Sequence, residues 1–146
     1  MRAIIFDLDH TIFTAEQKLH DGTVELLDIL KRLGIVIGGI SNHDHRILVR
    51  LDEAGIRKHF TNVLCADQTL EPKASTGLQH LLSLLGAEAY ESILVSHAHA
   101  DILLAKEAKL FRSIGVAHGQ DNSAPLIDAG ADYIVQDIPA ILDVVE

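Results

Sequence analysis

Ile4-Ile5-Phe6-Asp7-Leu8-Asp9-His10-Thr11 is an apolar run that ends in two aspartates spaced i, i+2, with a hydroxyl two positions further on. The apolar part suits a strand buried on both faces. Residues two apart on an extended chain point the same way, so Asp7 and Asp9 are expected to leave the strand end on a common side. Two carboxylates that close repel, and neither stays charged cheaply without a proton or a cation between them. A buried strand that closes on such a pair carries an electrostatic cost with no structural return. The pair therefore marks a site.

Outward from this strand the pattern alternates. Residues 12–21 are polar and aperiodic, and read as a short excursion. Val24, Leu26, Leu27, Leu30 and Leu33 fall on helical spacing over residues 22–33, and Gly34 stops the helix. Residues 35–40 form a second apolar strand ending in Ser41-Asn42-His43-Asp44-His45. A helix over 44–54, a short strand at 62–66 and a helix over 73–85 follow. The fourth strand, 92–95, runs into Ser96-His97-Ala98-His99-Ala100-Asp101 and a helix to about residue 109. A fifth strand covers 113–116 and a sixth 133–135, with a small helix before the sixth and another from Ile138. Strands alternating with helices through short links predict a three-layer, Rossmann-like α/β domain. Its parallel sheet is covered by helices on both faces through right-handed crossovers. No linker or repeat divides it, so residues 1–146 read as one core domain. Ligands in such sheets sit beyond the carboxyl ends of the strands, where strand order reverses. That edge would gather Asp7 and Asp9, Ser41 and Asn42, and His97, His99 and Asp101.

Composition narrows the partners. The chain has 146 residues, 48% of them hydrophobic and none of them Trp, which implies an Ala/Ile/Leu/Val core. A net charge of −9 opposes nucleic acid or anionic membrane as a general partner. The single Cys65 excludes an internal disulfide framework and fits a reducing compartment. It reads as an inert core residue. The apolar runs are too short to span a bilayer, and Asp7 interrupts any leader-like stretch, so the expectation is a soluble, cytoplasmic protein.

At this point the sequence resembles the haloacid dehalogenase-like superfamily of phosphohydrolases. The resemblance rests on Asp7-Leu8-Asp9-His10-Thr11, on Ser41-Asn42, on Glu71-Pro72-Lys73 and on the loop ending in Asp101, in that order along essentially the whole chain. It implies hydrolysis of a phosphate monoester through an aspartyl-phosphate. Asp7 would attack phosphorus, and Asp9 would protonate the leaving oxygen and then activate water. Members that act on haloalkanes lack an acid at the second position, and ion-pumping ATPases have Thr there, so Asp9 favours a phosphate ester. Ser41 would hold a transferring phosphoryl oxygen, Lys73 would supply positive charge, and Thr11 and Asn42 would join Ser41 in contacting substrate. Mg²⁺ would bind to Asp7, to the main-chain carbonyl of Asp9 and to Asp101.

Two motifs depart from the family pattern. His97 stands where the first acid of the fourth motif is expected, and Lys73 falls two places late. The cap domain that many relatives carry has no room before Ser41 or between Ser41 and Lys73. A capless site suits either a large phosphorylated substrate or a small one enclosed by a second copy of the chain, a homo-oligomer.

The histidines add a separate reading. Nine occur, and His10, His43, His45, His97, His99 and His118 fall at or near the catalytic edge. His97 with Asp7 and Asp101 could hold Zn²⁺, Mn²⁺ or another divalent transition metal, since imidazole suits these ions better than Mg²⁺. The plain alternative is a cluster of solvated loop histidines. Arg46 and Arg50 are the nearest counter-charges for an acidic substrate, and Ser41 also reads as a cap for the helix after it. The competing function is a catalytically impaired relative that binds phosphate, metal or a partner protein.

Overall fold

The computed structural model describes residues 1–67, 71–120 and 122–145. Six strands, β1 (Ala3–Asp7), β2 (Val36–Ile40), β3 (Asn62–Leu64), β4 (Ser92–Ser96), β5 (Arg112–Val116) and β6 (Tyr133–Val135), form one parallel sheet in the order β3-β2-β1-β4-β5-β6. Between them lie α1 (Thr23–Arg32), α2 (Arg46–Glu53), α3 (Ser75–Leu85), α4 (His99–Glu107), α5 (Ser123–Ala129) and, after β6, α6 (Leu142–Val145). The architecture is the expected three-layer α/β arrangement. Strand order reverses between β1 and β4, whose register pairs Phe6 with Val95. The crevice at that reversal therefore opens beside Asp7 and Ser96.

The two layers follow the period-2 alternation of the strands. Ile4, Phe6, Ile93 and Val95 pack with Leu26, Leu27 and Leu30 of α1 and Ile47 and Leu51 of α2. Ala3, Ile5 and Leu94 pack with Leu78, Leu81, Leu82 and Leu85 of α3 and Leu104 of α4. Asp7 continues the Ala3–Ile5 parity. Its side chain leaves the strand on the face of α3 and α4, the elements that deliver Lys73 and Asp101.

Three local readings need correction. Residues 12–21 are not simply a polar excursion: Ile12 and Phe13 are core residues, and Phe13 bridges Leu19 in antiparallel fashion to make a small flap. Val24 and Leu33 share the helical spacing of α1 but are exposed, so its core face is narrower than the pattern suggested. The third strand stops at Leu64 rather than at residue 66. No second domain lies between β1 and β2 or between β2 and β3 among the described residues. No helix among them is long and apolar enough to cross a membrane.

Candidate active site

The strand β1 ends at Asp7, and the chain then winds into a tight turn over Leu8–Ile12. Within it Asp9 is extended, and His10 takes φ 62°, a left-handed value that a non-glycine residue adopts only under constraint from its surroundings. The turn undoes the extended-chain expectation. Asp7 and Asp9 do not face a common partner but diverge to opposite sides of β1.

Asp7 is fully buried at the β1–β4 side. Its Oδ1 lies 2.6 Å from Lys73 Nζ. Its Oδ2 accepts a hydrogen bond from Thr11 Oγ1 at 2.9 Å and lies 3.2 Å from both Ser96 Oγ and His97 Nδ1. Burial pushes the Asp7 carboxyl up, but the His97 contact, the Lys73 charge and the Lys73 and Thr11 hydrogen bonds outweigh it and hold the group below its ordinary value. Asp101, in the first turn of α4 and nearly buried, receives Ser96 Oγ at 2.7 Å and Lys73 Nζ at 3.1 Å on Oδ2. Lys73 loses hydration by burial, yet Asp7 and Asp101 raise its pKa above the usual lysine value. One ammonium thus bridges two buried carboxylates.

The segment bearing Lys73 is placed by Gly77. A Cβ at position 77 would strike the carbonyl oxygen of Pro72, so only glycine lets the first turn of α3 close onto this segment. The bridge brings Lys73 to Asp7 despite its late position in the sequence.

On the β2 side, Ser41 Oγ donates to Asp9 Oδ2 at 2.6 Å and accepts the His43 N–H at 3.0 Å. His43 Nε2 stands 3.5 Å from Asp9 Oδ1. Ser41 is fully buried, and its proton is engaged by Asp9. Nor does it cap α2, which starts at Arg46 after a turn. Thr11 is also fully buried, its hydroxyl taken up by Asp7 and by the His97 N–H at 3.0 Å. Asn42 is exposed beside the site.

No group of three His, Cys, Asp or Glu side chains is gathered as a ligand set among the described residues. His97 Nδ1 is directed at Thr11 Oγ1, 3.0 Å away, and at Asp7, while Lys73 stands between Asp7 and Asp101. His45 binds Asp67 at 2.7 Å, and His99 is exposed. The donors at this edge that suit a hard cation are oxygens. Asp7 Oδ1 is buried with the Lys73 ammonium 2.6 Å away, and with the Asp9 carbonyl and Asp101 it belongs to the oxygen donor class that suits a hard cation. Arg46 is tied to Asp44 on the surface at 2.9 Å, an ion pair that holds the Asp44 carboxyl down to about 2. Cys65 lies in the core.

Two site residues escaped the sequence reading. Ser96 links Asp7 to Asp101, and its position at the end of β4, beside the strand reversal, was an available signal. His20 lies far from the motifs in sequence. In space it stacks on His118, with ring centroids 3.6 Å apart and planes within 8°.

Residues 10–109 match the family model for haloacid dehalogenase-like hydrolases. The chain is 28% identical to a phosphoglycolate phosphatase of Agrobacterium fabrum over 86% of its own length and 54% of that protein. It is 30% identical to a phosphoglycolate phosphatase of Neisseria meningitidis over 80% of its length and 52% of the relative. The chain therefore spans about half the length of these two relatives. Its fold matches the crystal structure of a HAD phosphatase from Thermococcus onnurineus with a TM-score of 0.90 at 14% identity, covering 99% of this chain and 98% of that one.

Proposed function

The chain belongs to the haloacid dehalogenase-like hydrolases, and on that premise we propose that it hydrolyses phosphate monoesters through an aspartyl-phosphate on Asp7. The observation that carries this reading is the state of Asp7: fully buried at the strand reversal, held in its charged form, with Oδ1 beside the Lys73 ammonium. A carboxylate that stays ionised in a buried site is a competent nucleophile towards phosphorus. The bond from Asp7 to phosphorus forms as the ester oxygen departs. Lys73 screens the approaching phosphoryl charge from the two acids. Asp9 is the acid that protonates the leaving oxygen and afterwards takes a proton from the attacking water, oriented for both by Ser41.

Asp7, the main-chain carbonyl of Asp9 and Asp101 would hold Mg²⁺. Bound there, the ion supplies positive charge to the transferring phosphoryl group. Thr11, Ser96 and His97 fix the Asp7 carboxylate.

The second reading, a non-catalytic phosphate-binding relative, draws on the Lys73 bridge between Asp7 and Asp101, which balances the acids with the chain's own cation. Hydrolysis of an aryl phosphate with Mg²⁺, Mn²⁺, Co²⁺ or Zn²⁺ separates the two. Turnover that requires a divalent ion and falls by about a thousandfold or more in Asp7→Asn is the expected result. Equal background rates in both proteins would leave the binding reading ahead.

A further inference from the structure

A cleft of about 500 Å³ opens beside the Asp7 site, between the flap after β1 and the loop after β5. It meets the reacting centre at His97, which lines the cleft and touches Asp7. His10, His20, His118 and Asn122 form much of its remaining polar wall. Among the described lining residues Glu16 is the one charged side chain outside the histidines, and neither Lys nor Arg is present. From these features we infer that the cleft seats the leaving alcohol of the substrate, and that this alcohol is an uncharged polyhydroxy group held by His20, His118 and Asn122. The inference rests on the phosphatase reading and names the substrate class of that site.

Hydrogen-bond chemistry makes the case. His118 Nε2 lies 2.8 Å from the carbonyl oxygen of Thr11, so this nitrogen carries the proton and donates. In the neutral ring, Nδ1 is then a bare acceptor. Two imidazolium cations stacked face to face at this separation would repel, which favours the neutral form. Burial, and after it the neighbouring His20, also holds His118 below the ordinary histidine value. Burial lowers His20 as well, against the opposing charge of Asp21. Asn122 contributes a second acceptor: its Oδ1 is buried and has no hydrogen-bond partner among the described residues. Buried acceptors require donors, and leaving them unmatched discriminates strongly between ligands.

A hydroxyl group brings a donor to each acceptor. A carboxylate brings none, and it would lie near Glu16 without a lysine or arginine to neutralise it. The left-handed backbone of His118, φ 53°, fits a residue held in place by its contacts. The flap thus takes over in miniature the enclosing role for which no second domain is present among the described residues. Its His20 closes against the β5 loop through the stacked rings.

The test compares kcat/KM for glycerol phosphate, a hexose phosphate, phosphoglycolate and an aryl phosphate. The wild-type protein is set beside His20→Ala and Asn122→Leu, each checked for folding by thermal melting, with His118→Gln as the variant that retains a donor towards Thr11. The wild type is expected to prefer the neutral polyol esters over phosphoglycolate by about tenfold or more, and each of the first two variants to erase most of that ratio, chiefly through KM. His118→Gln should retain more of the preference than either. Preference for phosphoglycolate, or a ratio that none of the variants moves, overturns the assignment of the cleft while aryl phosphate hydrolysis leaves the phosphatase reading standing. Failure to hydrolyse any of the esters overturns both.

Discussion

Asp7 and Asp9 are two residues apart, yet they occupy opposite kinds of surroundings. Asp7 is sealed on the β4 side by Thr11, Lys73, Ser96 and His97, with no exposure to solvent. Asp9 sits on the β2 side, partly open, with Ser41 as its short contact and His43 more loosely placed. The divergence comes from the turn at Leu8–Ile12, which breaks the strand immediately after Asp7. A rigid, dry carboxylate suits attack on phosphorus. A carboxylate open to water and held by one neighbour suits proton transfer to and from solvent. In the proposed mechanism the same side-chain chemistry is divided into two roles by where the strand ends.

The sharpest way to break this contrast is Asp9→Asn. Loss of the acid is expected to lower kcat/KM by about 10²–10⁴-fold, and more for alkyl than for aryl phosphates, because only the poorer leaving group requires a proton. Equal losses on both ester types, measured in parallel, would contradict the role given to Asp9.

Lys73→Met probes the sealed side. Removing one partner of a buried ion pair strands the other charge, and a loss of about 3 kcal/mol in unfolding free energy is expected. The pH dependence follows from both partners. Asp7 is depressed below 3.8, so its stabilisation is present above 3.8 and lost as pH falls through its folded value. Lys73 is raised above 10.5, so its contribution is complete below 10.5 and lost as pH rises through its folded value. Urea titrations of wild type and variant should therefore differ most across the intervening range and converge at both extremes. A difference confined to one side of neutrality would show that the two charges are not coupled.

Gly77→Ala acts on the same side without touching a charge. The added methyl must displace the Pro72 carbonyl, at a cost of about 1–3 kcal/mol, and it draws Lys73 away from Asp7. The expected signature is a lower melting temperature together with a reduced kcat. Ser41→Ala, on the open side, carries the smallest effect. It removes one hydrogen bond to Asp9 and should lower kcat by about tenfold, with the alkyl esters again more affected.

Much of this arrangement was legible in the sequence because it is written at strand ends. Apolar runs followed by Asp7, Ser41 and the His97–Asp101 loop place these groups at one edge as soon as the sheet is parallel. What the sequence concealed depends on the third dimension. The i, i+2 spacing promised a common side for Asp7 and Asp9, and a turn of five residues removed it. Lys73 looked displaced along the chain until Gly77 brought its segment close. Ile12 and Phe13 vanished into a stretch that averages polar, although the flap is anchored by them. His20 has no local signal at all, since its partner His118 follows β5, two strands from β1 in the sheet and nearly a hundred residues on in sequence.

In the proposed mechanism Asp7 itself receives the phosphoryl group. Acid quenching during turnover of a radiolabelled phosphate ester, followed by peptide mapping, measures this directly. A hydroxylamine-labile phosphoryl group on the peptide that carries Asp7, absent from Asp7→Asn, is the predicted result. Sustained turnover with no label on the protein, or label on a histidine such as His97, would contradict it.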